Sequence, residues 1–155
     1  MRYSMLRYSR YLVVALLGCS LSFSITANSQ QQTLIEQAFQ QTEAGDLEAA
    51  QSLLEEAIKE APSSSLAYTR LGGVQLLQQS YSSGIENFQQ AIMLDQSNTQ
   101  AFIGLAVAYL HLGRYQLARE ALKQAQQLDP SKKQEIDKVV TWLNQRSSNN
   151  SNSMH

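Results

Sequence analysis

Few side chains in this sequence are suited to carrying out a reaction, and their spacing argues against one. The histidines are His111 and His155. His111 stands two residues before Gly113, at the end of an apolar run that reads as a helix. An imidazole there interacts favourably with the carbonyl end of the helix, a simpler role than general base. His155 is the last residue. Glu55 and Glu56 are adjacent, so on a helix they point to different faces and do not form an acid/base pair. The single cysteine, Cys19, excludes a disulfide framework and a zinc-ribbon site. No His/Cys cluster has ligand spacing, and no glycine pattern suits a nucleotide. The expectation is a non-enzymatic protein with no cofactor and no metal.

The chain has 155 residues, 43% of them apolar, enough for a core. Charged residues make up only 16%. Gln and Ser, about twenty of each, fill the gap. The net charge of −1 is a cancellation. Residues 1–29 hold Arg2, Arg7 and Arg10 and no acid, and the remainder holds nine basic and thirteen acidic side chains, net −4. An acidic working part excludes a nucleic-acid binder read from overall charge.

After Arg10 an apolar run follows, Tyr11 to Cys19, continuing more weakly to Ile25. A basic start followed by a short apolar stretch is the pattern of an export signal. The run is shorter than the ~20 residues of a comfortable membrane span. Three fates stay open for residues 1–27. Cleavage after Ala27 leaves a small residue at the cut. Leu16-Leu17-Gly18-Cys19 resembles a bacterial lipobox, in which the cysteine is acylated and becomes the N-terminus. The third fate is an uncleaved anchor. Each places the working part outside the cytoplasm, in the periplasm or envelope, and the last two associate it with the membrane.

The remaining chain repeats. Ser29, Ser63, Ser97 and Ser131 are spaced thirty-four residues apart. Gln32, Gln100 and Gln134 follow three of them in capping-box spacing, so each serine is expected to start a helix. Other columns keep the interval: Gly45, Gln79, Gly113; Leu47, Tyr81, Tyr115; Ala50, Gly84, Ala118; Leu54, Phe88, Leu122; Ala57, Ala91, Ala125. Leu34, Tyr68 and Phe102 align, as do Ala38, Gly72 and Ala106. Within a unit the apolar period is helical, as in Phe102, Leu105, Ala106 and Tyr109. Gly113 permits a left-handed turn between two helices, and Asp46 and Ser80 stand where a second helix is capped. No segment alternates as a strand does.

These columns resemble the tetratricopeptide repeat, a helix-turn-helix unit of this length. The third unit is nearest the pattern, with Phe102, Leu105, Ala106, Tyr109, Gly113, Tyr115, Ala118, Leu122, Ala125, Leu128 and Pro130. The second departs at Gln75, Gln79 and Gln96, the first at Gln37 and Gln41. The expected fold is all-α, a short right-handed α-solenoid of three such helix pairs plus a C-terminal capping helix. Its units are 31–64, 65–98 and 99–132. The capping helix spans 133–146, with an apolar stripe of Ile136, Val139, Val140 and Leu143. Residues 147–155, rich in Ser and Asn, are expected to be disordered.

The resemblance implies that the first helix of each unit lines a concave groove that binds peptides. Its candidates here are Ile35, Phe39 and Glu43, then Leu66, Thr69, Arg70, Gly73 and Leu76, then Gln100, Ile103, Val107, Leu110 and His111. The surface is mainly apolar, which favours a helix or extended peptide from another protein. Some relatives grip a chaperone's C-terminal carboxylate with several cationic and amide side chains. Ile35, Phe39, Arg70, Gln100 and Gly104 stand at those positions, so only Arg70 serves and a multi-cation clamp is absent. Arg70 pairs either with one ligand acid or within its own surface. The implied role is an adaptor, scaffold or assembly factor. The alternative is a lipid-anchored relative, held at Cys19, that assists pilus or outer-membrane complex assembly. Self-association of the array also stays open.

Overall fold

The computed structural model describes residues 29–152, with side chains described as far as Leu143. The leader with Cys19 lies outside the described residues. All regular structure among those described is helical. We number the helices α1 (29–44), α2 (Leu47–Glu60), α3 (Ser65–Leu77), α4 (Tyr81–Leu94), α5 (Thr99–His111), α6 (Tyr115–Leu128) and α7 (Lys133–Asn152). A single 3-10 turn, Pro130–Lys132, joins α6 to α7. The first six helices form three hairpins, and α7 packs against α6.

Each hairpin turns on a left-handed residue at the same repeat position. Gly45 has φ 83, Gln79 φ 62 and Gly113 φ 69. The next residue's N–H reaches back five positions in every case. Asp46 N donates to Gln41 O at 2.9 Å, Ser80 N to Gln75 O at 2.8 Å and Arg114 N to Tyr109 O at 2.8 Å. This is the Schellman closure, which satisfies carbonyls left over at a helix end. Gln79, a departure from the repeat pattern, therefore still adopts its glycine's backbone. The geometry is imposed by the packed helices on either side, against the preference of a side-chain-bearing residue.

The starts of α3 and α5 differ from the expected ones by a single residue. Ser64 and Asn98 are the caps of α3 and α5, accepting from Ala67 N at 3.3 Å and Ala101 N at 3.0 Å. Ser97 turns back toward Asp95 instead. Its N–H and hydroxyl both donate to Asp95 Oδ1, at 2.9 and 2.6 Å. Ser131 does the same with Asp129 one repeat later, at 3.0 and 2.6 Å. Ser29 already lies within the described helical residues. Asp46 does cap α2, accepting from Ala49 N at 3.0 Å. Ser80 holds the N-cap position of α4 without a side-chain cap bond.

The small columns lie where helices touch. Ala38, Ala50, Ala57, Ala91, Ala106, Ala118 and Ala125 are all buried. Around them sit two apolar clusters. One joins α1, α2 and α3 through Leu34, Ile35, Leu54, Leu71 and Val74. The other runs from α4 to α7 through Phe88, Leu105, Tyr109, Leu122, Ile136 and Leu143. The second unit's Gln75 is buried yet satisfied, accepting from Asn87 Nδ2 at 2.7 Å. The first unit's Gln37 faces solvent, as suits a terminal repeat.

The expected disorder from Ser147 is not what is found, because α7 runs on through Asn152. Ser and Asn are only modest helix formers, but this stretch contains no Gly or Pro. Extending an existing helix adds one hydrogen bond per residue without a new nucleation cost. Residues 153–155 lie outside the described residues.

Candidate functional site

The first helices of the three units, α1, α3 and α5, enclose a groove of about 550 Å³. Its walls are built from columns thirty-four residues apart. Phe39, Gly73 and Val107 form one, Glu43, Leu77 and His111 another, and Arg70 and Gly104 a third. Thr42 and Leu76 form a fourth. The periodicity that packs the core thus also repeats the lining along the groove.

Six of the seven groove residues expected from the sequence line this space: Phe39, Arg70, Leu76, Ile103, Val107 and His111. Ile35 does not. It is 7% exposed and belongs to the apolar cluster between α1, α2 and α3. Thr69, the equivalent residue on α3, is also buried, whereas Ile103, the equivalent on α5, lines the groove. Thr69 borders the groove, but its hydroxyl is committed. It donates to Ser65 O and accepts from Asn98 Nδ2, at 2.9 and 2.8 Å. Glu43, Gly73 and Gln100 line the groove as expected, whereas Leu66 and Leu110 do not. Leu77, half exposed at the groove's edge, was not anticipated, although its interval from Glu43 and His111 would have found it.

Asn98 makes the polar connection between the second and third units. Its amide donates to Ser65 Oγ and Thr69 Oγ1, each at 2.8 Å, while its Oδ1 caps α5. Ser65 Oγ in turn donates to Ala91 O at 2.9 Å. One side chain therefore ties the start of α5 to α3 and, through Ser65, to the end of α4. Such a bonded network fixes how the two units sit against each other.

The groove's chemistry is apolar with sparse charge. Phe39 is 42% exposed and Leu77 58%. The Arg70 guanidinium carbon lies 5.6 Å from the centroid of the Phe39 ring, a cation–π contact between α3 and α1. The ion pairs found among the described residues, Lys123–Glu120 and Lys133–Asp137, are elsewhere, so no carboxylate pairs with Arg70 there. His111 does more than sit at a helix end. Its ring stacks on Tyr81 at 4.5 Å between centroids and 8° between planes, joining α5 to α4. Among the described residues no group of His, Cys, Asp and Glu is placed to hold a metal, and no helix is long and apolar enough to cross a membrane.

A family model of the tetratricopeptide repeat matches residues 42–97 and again 78–133, together more than half of the chain. The chain belongs to this family. No catalytic family is indicated, and tetratricopeptide domains are in general protein-interaction modules. No curated protein matches the chain in sequence. Solved tetratricopeptide structures share its fold at low identity. The TPR2B domain of yeast Sti1, in a complex with pHsp70, has a TM-score of 0.73 at 23% identity, covering 76% of this chain and 98% of that one. The Arabidopsis OM64 TPR domain has a TM-score of 0.73 at 20% identity, covering 77% and 98%. The Yersinia enterocolitica type III secretion chaperone SycD, in complex with a peptide of the translocator YopD, has a TM-score of 0.70 at 19% identity, covering 75% and 93%.

Proposed function

We propose that this tetratricopeptide protein is a non-enzymatic adaptor or assembly factor that binds a peptide or helix of a partner protein in its concave groove. The observation that carries this reading is the groove itself. It is lined by apolar side chains left partly exposed on three successive first helices, most of all Phe39 and Leu77. Leaving Phe39 and Leu77 in water is unfavourable for the free protein and is offset when a partner covers them. Solved structures of the same fold stand in complexes with pHsp70 and with a peptide of YopD, which supports a protein or peptide partner. The lining offers Arg70 as its one arginine and has no lysine, so a ligand gripped through several carboxylates is not the kind it suits.

The test uses the full-length protein on an array of amidated random peptides. The reading expects a defined subset to bind, and expects that binding to vanish in the double variant Ile103→Glu, Val107→Glu. Both residues are partly buried and Ile103 packs against the core, so folding of the double variant is checked by circular dichroism alongside binding. Binding that survives in a folded double variant would remove the groove from the account.

We place this activity in the bacterial-type envelope, from the arginines and apolar run of residues 1–27. The second reading, a lipoprotein assisting pilus or outer-membrane complex assembly, rests on Leu16-Leu17-Gly18-Cys19. A Cys19→Ala protein that still sediments with membranes would eliminate lipid anchoring. A protein found in the cytosolic fraction would eliminate export.

A further inference from the structure

Glycine inside a helix is unfavourable relative to alanine, because it loses more backbone freedom on folding. Four glycines stand inside the described helices, and three have a packing reason. A Cβ on Gly72 would meet the Phe88 ring at 2.9 Å, and one on Gly104 would overlap the same ring. A Cβ on Gly84 would press on Gly72 O at 3.3 Å. Gly73 is different. Nothing lies within 4 Å of the position its Cβ would take, and its φ is not left-handed. Neither packing nor backbone geometry calls for a glycine here. That open space belongs to the groove, between Phe39 and Val107 in the same column.

Arg70 stands three residues before Gly73, on the same face of α3 and roughly one turn away. It projects its charge at the groove with the Phe39 ring beneath it. An exposed aromatic face, a missing side chain and a cation without a carboxylate are thus set side by side. Resting on the groove reading above, we propose that Gly73 is the floor of a side-chain pocket. The pocket takes one bulky apolar side chain of a partner peptide, and a neighbouring carboxylate of that peptide pairs with Arg70. The apolar side chain fills the volume that every other amino acid at position 73 would occupy. The carboxylate pairs with Arg70, which has no carboxylate within ion-pair distance although Glu43 also lines the groove.

The amidated peptide array again provides the measurement, read on full-length wild type, Gly73→Ala, Gly73→Leu and Arg70→Gln, with helix content followed by circular dichroism. Wild type is expected to select peptides with a large apolar residue next to Asp or Glu. Gly73→Leu should weaken the selected peptides at least about tenfold, the discrimination a few methylene groups command in an apolar pocket. Gly73→Ala, which the open space accommodates, should fold at least as well as wild type and shift selection toward smaller apolar residues. Arg70→Gln should lose the acidic preference and keep the apolar one. Selection unchanged in folded Gly73→Ala and Gly73→Leu would overturn the pocket. An acidic preference unchanged in Arg70→Gln would overturn the carboxylate pairing. If wild type binds peptides that lack a large apolar residue, the pocket fails while the groove stands. If wild type binds no peptide at all, the groove reading itself fails.

Discussion

The ring of Phe88 fills the space that a side chain on Gly104 would need. A residue of the second unit thereby reaches beneath the first helix of the third. The same ring lies against Gly72 on its own unit's first helix, so it is held on two sides and 98% covered. It forms part of the groove floor while remaining core.

That arrangement separates two glycines that look alike in sequence. Gly104→Ala forces the pinned ring to move, and overpacking of this kind costs roughly 1–3 kcal/mol. The gain of up to about 1 kcal/mol from better helix propensity does not cover it. Gly73→Ala meets open space and keeps that gain, roughly 0.5–1 kcal/mol. Thermal unfolding should therefore move in opposite directions for the two variants, down for Gly104→Ala and up for Gly73→Ala. Equal shifts would contradict the placement of Phe88.

Asn98 is the second mechanical point. Asn98→Ala removes the cap of α5 and both bonds to α3 together. The expected loss is about 1–2 kcal/mol, more than an ordinary exposed cap. Because the network couples units, Asn98→Ala and Thr69→Ala should be non-additive in a double-mutant cycle. Denaturant unfolding of the four proteins gives the coupling, and strict additivity would argue against the network.

The repeat architecture was legible because its signal is redundant. Alanine and glycine at fixed columns mark close helix contacts, and those columns are buried. What the columns did not reveal was local competition for hydrogen bonds. Ser97 and Ser131 obey the interval, yet their hydroxyls donate back to Asp95 and Asp129 in tight turns, and α5 starts one residue later with Asn98 as its cap. Ile35 occupies a groove column but is covered by the second unit, a difference between an interior face and an open one that periodicity does not express. Gln79 kept a glycine's backbone against its own preference, since the helices on either side dictate the turn. In the groove, the interval itself marks Leu77 as the partner of Glu43 and His111.

The Asp–Ser turns predict an acid response. The Ser97 hydroxyl, then its backbone N–H, holds the Asp95 carboxyl below the usual carboxylate range, and Ser131 does the same for Asp129. A carboxyl whose pKa is lowered by folding contributes stability above its unfolded pKa and loses it as pH falls through the folded one. Thermal midpoints should thus drop as pH falls below the ordinary range near 4. The drop should be smaller in Ser97→Ala, Ser131→Ala, where the two carboxyls return toward ordinary values. An identical acid profile in that variant would assign the response to other groups.

The groove claim is tested most directly by amide chemical-shift mapping of a peptide selected on the array, titrated into the labelled full-length protein. The account predicts that the largest perturbations fall on the first helices, at Phe39, Arg70, Gly73, Leu76, Ile103, Val107 and His111. Perturbations concentrated instead on α2, α4 and α6, or on α7, would place the binding surface elsewhere and contradict it.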